Sequence, residues 1–272
     1  MKTRILTALI GLPFVIAVLI SPLPVVIVAV VAAALVAMNE YYHAVDLCGQ
    51  KALGIMGYLA TIVISLGIYL TPGISMSLVY VYVFALFVIM LASNKKVDFK
   101  HIAMLVMGLI YIPYSLSHII YIRNLEYGNI YIWLVFIGAF MTDSCAYFTG
   151  ITIGGKKLCP SISPKKTISG AIGGVVGCGL FFILFGLLIN HFSASLLGVN
   201  RLDLGLLFVL GLISAIASEI GDLVASMIKR QYEIKDFGTL LPGHGGILDR
   251  CDSIILVAPV VFLFLLEIGV LV

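Results

Sequence analysis

The sequence predicts an all-α polytopic membrane protein of about nine transmembrane helices with a cytoplasmic N-terminus, and three observations carry that prediction. Hydrophobic residues fill 62% of 272 positions and charged residues only 11%, with a mean hydropathy of +1.19. A soluble domain carries roughly 25% charged residues. The apolar residues are also gathered into runs long enough to cross a hydrocarbon core of about 30 Å. The basic residues, finally, fall almost entirely on one side of the membrane once those runs are threaded through it.

The runs fall at roughly 4–20, 24–40, 54–71, 74–93, 101–122, 130–149, 169–192, 204–227 and 253–272. Only Ser21-Pro22-Leu23-Pro24 divides the first from the second. Lys2 and Arg4 before an apolar run give the opening the look of a cleavable leader. The eight spans that follow favour reading it as the first span. An amphipathic stretch around 40–52 is expected at the inner interface, and the two long polar segments are 150–168 and 228–252. We expect residues 1–272 to form one integral-membrane domain, with 1–129 as apolar scaffold and 130–272 as the catalytic half.

With nine spans and the N-terminus inside, fourteen Lys and Arg residues lie in inner segments, and only Arg123 and Arg201 lie outside. That asymmetry places both polar segments on the cytoplasmic face. The net charge of +3 is thereby a topology signal and no argument for nucleic acid. Cys48, Cys145, Cys159, Cys178 and Cys251 are odd in number and show no Cys-x-x-Cys spacing, so neither a disulfide framework nor a zinc site is indicated.

Carboxylates inside apolar runs are expensive and mark function by default. Asp143, Glu219, Asp222 and Glu267 qualify, and Glu267 is discounted because it lies close to the outer interface. In the eighth run Ser218, Glu219, Asp222, Ser226 and Lys229 recur at intervals of three and four, which stacks them on one helix face. The face reads as the wall of a polar cavity opening inward; a polar seam between helices is the plainer alternative. Asp249 and Asp252 flank Arg250 at the start of the ninth run, where the helix dipole favours carboxylates. With Asp222 they can close around a divalent cation, and oxygen-only ligation indicates Mg²⁺.

The turn Pro242-Gly243-His244-Gly245-Gly246 offers free N–H groups, and His244 is either a phosphate or ribose contact or an ordinary loop histidine. The segment 150–168 carries Lys156, Lys157, Lys165 and Lys166 and leads through Thr167 and Ser169 into the seventh run. Thr167 or Ser169 can cap that helix, and its free N–H groups with Lys166 form an anion site. Asp143 and Ser144 are the buried polar pair one helix earlier.

Ser226, Lys229, Arg230, Lys235, Asp236, Gly238, Leu241, Pro242, His244, Gly245, Gly246, Asp249, Arg250 and Asp252 together resemble the signature of the phosphatidate cytidylyltransferases, also called CDP-diacylglycerol synthases. Gly221-Asp222, the stretch 143–147, Ser163-Pro164-Lys165-Lys166-Thr167, Gly170 and the opening 2–7 are similar to other elements of that family. Many relatives carry an acidic residue where this chain has Ser169, and that position receives no catalytic role. The resemblance implies the reaction of CTP with phosphatidic acid to give CDP-diacylglycerol and pyrophosphate, in a bacterial inner membrane, by a plausible homodimer. On that reading Asp222 and Asp249 hold Mg²⁺, with Asp252 and Glu219 as further ligands. Asp222, Asp249, Asp252 and Lys229 are the catalytic set. Asp143, Ser144, Lys166, Thr167, Ser226, Arg230, Lys235, Asp236, His244, Gly245, Gly246 and Arg250 line the substrates. The competing readings are a CTP-dependent polyprenol- or phytol-type lipid kinase and an ion-coupled transporter.

Overall fold

Where the sequence is apolar the chain is helical, and where Pro, Gly and charge interrupt it the helices stop. The computed structural model describes residues 2–47, 51–70, 74–93, 96–192 and 201–271. Cys48 and Lys95 lie outside the described residues, as do the side chains of Lys2, Arg4 and Lys51. Helix α1 covers Lys2–Ile20 and α2 Leu23–Ala44. Pro22 is the N-cap of α2 and Pro24 lies in its first turn, where a missing N–H removes no helical bond. Helices α3 (Lys51–Leu70) and α4 (Ile74–Ala92) follow.

Helix α5 (Phe99–Leu109) opens on a capping box: the His101 N–H donates to Asp98 Oδ1 at 2.9 Å, and the Asp98 N–H donates to His101 Nδ1 at 3.2 Å. It runs into a π-helical turn, Ile110–Tyr114, around Pro113, which has no N–H to give the ladder. Helix α6 (His118–Arg123) then completes the fifth expected run. After it come α7 (Gly128–Thr152), strands β1 (Lys157–Cys159) and β2 (Ser163–Thr167), α8 (Ile168–Phe192), α9 (Leu204–Gln231) and α10 (Leu248–Glu267).

Among the described residues five helices are long and apolar enough to cross a membrane: Leu23–Ala44, Phe99–Arg123, Gly128–Thr152, Ile168–Phe192 and Leu204–Gln231. Leu9–Ile20, Leu53–Gly67 and Ser77–Ala92 are shorter apolar helices. Helix α10 begins about a turn earlier than the ninth apolar run, so its first turns carry Asp249, Arg250 and Asp252. The protein is a multi-pass helical membrane protein.

The all-α membrane fold that the sequence predicts is the fold observed, with one short hairpin added: β1 and β2 pair antiparallel, Lys157 opposite Thr167 and Cys159 opposite Ser163. Helix α2 continues past residue 40 to Ala44, with Glu40, Tyr41 and Tyr42 buried.

The chain forms two compact units, Met1–Asn124 with Tyr232–Cys251, and Leu125–Gln231 with Asp252–Val272. In the first, α2 packs against α3, α5, α6 and the π turn, burying Ala34, Ala37, Met38, Leu105, Leu109 and Ile112. The Tyr41 hydroxyl donates to the Met104 carbonyl at 3.1 Å, and Ser117 Oγ donates to Ser65 Oγ at 2.9 Å. In the second, α7, α8 and α9 pack mutually. Lipid is as apolar as leucine, so such helices are held by close contact between small residues. A Cβ on Gly211 of α9 would stand 2.8 Å from the Cα of Gly179 on α8, beside the fully buried Phe182.

Candidate active site

In the second unit α9 supplies the frame. Its inward face carries Ser218, Glu219, Asp222, Ser226 and Lys229, while Ile216, Ile220 and Met227 on the opposite face are 51%, 48% and 49% exposed. The three-and-four spacing thus becomes the polar face that the sequence predicts. Ser226 Oγ donates to Asp222 Oδ1 at 3.4 Å. Lys166, delivered by β2, places Nζ 2.8 Å from Asp222 Oδ2. This buried ammonium is thus ion-paired with the Asp222 carboxylate.

Glu219 lies one turn deeper. Its Oε1 is buried with no hydrogen-bond partner, next to Gly174 of α8, where a Cβ would come within 3.0 Å of it. Asp143 of α7 and Lys166 act on Glu219, and Asp252 of α10 is acted on by Asp222, Lys229 and Asp143. Four carboxylates from three helices therefore share one electrostatic neighbourhood with two lysines. Gly221 allows the approach of α10, since a Cβ there would overlap the Asp252 carbonyl. Asp143, which the sequence placed with the substrate contacts, stands with the proposed metal carboxylates.

The hairpin explains how Lys166 is held. Thr167 Oγ1 accepts from the Gly170 N–H at 3.1 Å, so Thr167 is the cap of α8, as expected. Ser169 donates instead to the Gly154 carbonyl. Lys166, the residue before this cap, pairs with Asp222. Arg230 Nε donates to the Ile162 carbonyl at 3.4 Å, tying the end of α9 to the hairpin turn. Asp143 and Ser144 are both exposed on α7, not the buried pair that the sequence suggested.

In the first unit the glycine-rich turn closes on itself. The Leu241 N–H donates to the Gly245 carbonyl at 2.9 Å and the His244 N–H to the Leu241 carbonyl at 2.8 Å. Gly243 and Gly245 have φ of 77° and 83°, the left-handed region that favours glycine. Asp249, 5% exposed, anchors the turn: Oδ2 accepts from the Phe237 N–H at 2.8 Å and the Gly246 N–H at 3.0 Å. His244 Nδ1 is buried without a hydrogen-bond partner, while Lys235, Asp236 and Arg250 are exposed. Thr7 of α1 donates to the Pro242 carbonyl at 3.1 Å, which ties the opening stretch to the turn.

Sequence reasoning missed Glu40. It is 6% exposed, and it accepts from the Ile247 N–H at 3.0 Å and the Leu248 N–H at 2.8 Å. One signal was available: a carboxylate in the last turns of α2 opposes the helix dipole and so needs a partner.

Among the described residues no three His, Cys, Asp or Glu side chains are gathered closely enough to enclose a metal by themselves. Mg²⁺ characteristically keeps several waters and takes one or two carboxylates plus substrate phosphates. An excess of carboxylates over lysines, with Glu219 Oε1 unpartnered, fits that kind of ion.

Comparison with known proteins fits this picture along the whole chain. A phosphatidate cytidylyltransferase of Bacillus subtilis (strain 168) is 33% identical over 279 aligned positions, covering 97% of each chain. One of Staphylococcus haemolyticus (strain JCSC1435) is 33% identical, covering 98% of this chain and 100% of its own. One of Rickettsia bellii (strain RML369-C) is 37% identical over 202 positions, covering 72% of this chain and 86% of its own. The model of the cytidylyltransferase family matches residues 2–267, so the chain with these clustered carboxylates and lysines belongs to that family.

Proposed function

We propose that this protein transfers CMP from CTP to phosphatidic acid, giving CDP-diacylglycerol and pyrophosphate. The observation that carries the reading is the near full-length similarity to proteins named phosphatidate cytidylyltransferase. It is supported by the lysines and carboxylates that the family signature gathers on α9 and at the start of α10.

A phosphate monoester has a second pKa of about 6, so at neutral pH it is largely a dianion and needs no general base to act as nucleophile. One of its oxygens bonds to the α-phosphorus of CTP while the bond to the bridging oxygen of the leaving pyrophosphate breaks. The protein's task is to hold two polyanions together and to stabilise charge on the leaving group. Lys166, Lys229, Arg230 and Arg250 would contact phosphates, with Lys235, His244 and the N–H groups of the glycine turn as further contacts. Lys166 is suited to this because its ammonium stands among the carboxylates, paired with Asp222. Ser226 and Thr167 orient Asp222 and the start of α8. Asp222 is the principal candidate ligand for Mg²⁺, with Glu219 and Asp252 beside it; Asp249 remains a ligand on the sequence reading. A bound magnesium would screen the phosphates of CTP and of the leaving pyrophosphate.

The same proposal includes nine spans, an inner-membrane location with the chemistry facing the cytoplasm, and a homodimer through the apolar N-terminal helices. The basic-residue asymmetry supports the orientation.

The deciding experiment incubates the purified protein with phosphatidic acid, Mg²⁺ and CTP labelled at the α- or γ-phosphorus. Cytidylyl transfer moves the α-label into lipid and the γ-label into pyrophosphate. A γ-label in lipid would establish a kinase instead. Asp222→Asn should abolish the transfer while the protein remains folded.

A further inference from the structure

We infer that Glu40 is a positioning residue for the reaction: its carboxylate fixes the glycine turn and the first turn of α10, and so sets where His244, Asp249 and Arg250 stand. The inference rests on the cytidylyltransferase reading above, because it is the family signature that gives those three residues a role.

The geometry is specific. Glu40 belongs to α2, yet its two oxygens take two successive N–H groups 207 and 208 residues further along the chain. Ile247 donates to Oε1 and Leu248 to Oε2. These are the residue before α10 and its first residue, whose N–H groups have no helical acceptor. The negative charge also meets the positive end of the helix dipole.

The pocket around the carboxylate is built from glycines of the signature segment. A Cβ on Gly238 would stand 2.7 Å from Glu40 Cδ, and one on Gly246 would overlap the carboxylate itself. Gly246 does not have a positive φ, so its lack of a side chain answers to Glu40 and not to backbone strain. Asp249 holds the other side of the same turn through the N–H groups of Phe237 and Gly246. Two carboxylates thus take four main-chain donors at residues 237, 246, 247 and 248.

A carboxylate is the side chain that offers two acceptors and no donor. Glutamine would present its NH₂ to one of the two N–H groups. An apolar residue would leave both unpaired in a buried site. Displacing catalytic groups by about 1 Å can cost about 100-fold in rate, so loosening this clamp is felt as lost turnover.

The test measures kcat and KM for CTP-dependent pyrophosphate release, together with amide exchange across 237–248, in wild type, Glu40→Gln, Glu40→Asp and Gly246→Ala. Glu40→Gln should exchange the Ile247 and Leu248 amides about tenfold to 100-fold faster, and kcat should fall by a similar factor. The loss of kcat should exceed any loss of folded protein at the assay temperature. Glu40→Asp, which retains the charge on a shorter stem, should recover part of kcat. Gly246→Ala should impair the enzyme when Glu40 is present and add nothing further in a Glu40→Ala background, because the collision is gone.

Unchanged exchange with kcat within twofold of wild type in Glu40→Gln overturns the inference. So do losses that simply multiply in the Glu40→Ala, Gly246→Ala pair. If Glu40→Ala does not fold, the Gln and Asp variants decide on the same measurements. Should the wild type release no pyrophosphate, the functional reading fails by itself, and the exchange rates alone decide whether Glu40 holds the turn.

Discussion

The pair Lys166 and Asp222 makes the sharpest prediction, because removing one partner should cost stability and removing the other should not. Their charged atoms are 2.8 Å apart, and the side chains keep 23% and 29% of their exposure. At an effective dielectric of 20 the gross attraction is about 6 kcal/mol. Desolvation offsets most of it: exposed pairs are worth about 0.2–1 kcal/mol, and losing one partner of a buried pair costs about 3–5 kcal/mol. For a pair at this depth about 2 kcal/mol is expected from Lys166→Met, roughly a 30-fold shift in the folding equilibrium. Asp222→Asn gives up the same attraction but also relieves repulsion with Glu219 and Asp252. It should therefore be close to neutral for stability while abolishing turnover. The double variant should be more stable than Lys166→Met alone. Unfolding midpoints of the four proteins in one detergent at low salt measure this cycle. Single effects that add within about 0.5 kcal/mol would refute the electrostatic reasoning.

Three further outcomes follow from the same geometry. Lys166→Met leaves the carboxylates facing phosphate with Lys229 as the remaining lysine, so the KM for CTP should rise by about tenfold, a factor worth about 1.4 kcal/mol. Asp249→Asn weakens two charge-assisted bonds to Phe237 and Gly246, so those amides should exchange about 30-fold faster, the equivalent of about 2 kcal/mol of local opening. Amide exchange by mass spectrometry reads it, with or without nucleotide. Gly211→Ala should destabilise by about 1–3 kcal/mol, because the atom 2.8 Å from the new Cβ is the Cα of Gly179 and cannot rotate away. A thermal midpoint equal to that of wild type would show that α8 and α9 have room to part.

The polar face of the second unit and the signature segment of the first were legible in the sequence, and Glu40 of the first was not, for a physical reason. A carboxylate inside an apolar run is conspicuous, and the face from Ser218 to Lys229 follows helical periodicity, so the residues alone orient α9. Glu40 stands at the end of an apolar run, where interfacial charge is ordinary. Its partners are main-chain N–H groups, which every residue but proline carries, so pairing leaves no trace in residue identity. Beyond its place against the dipole of α2, the trace is negative: Gly238 and Gly246 are small where the carboxylate occupies the space. The β1–β2 hairpin escaped notice because Ser163-Pro164-Lys165-Lys166-Thr167 shows no alternation of apolar and polar residues. The spacing of Asp249 from Asp252 is visible in the sequence, whereas its two backbone donors are not.

The glycines of α8 show how such a polar cluster is reconciled with a lipid environment. Gly170, Gly173, Gly174 and Gly177 recur at helical spacing toward α7, where a Cβ would meet Ala146, Thr149, Thr142 and Cys145. Contact of this kind holds helices together where burial of apolar surface offers no gain over lipid. Gly174 also abuts Glu219 of α9, so the surface that binds the helices together leaves room for a carboxylate at their centre. Any larger residue at 174 would set packing against charge: either α8 moves off α7, or Glu219 is pushed from its site. The stripe is thus the condition under which Glu219, Asp222 and Asp143 can share a neighbourhood within packed helices. Loss of activity on enlarging Gly174 should accordingly be partly recovered when Glu219 is shortened to Asp, and an enlarged Gly174 that leaves turnover unaffected would separate the packing from the chemistry.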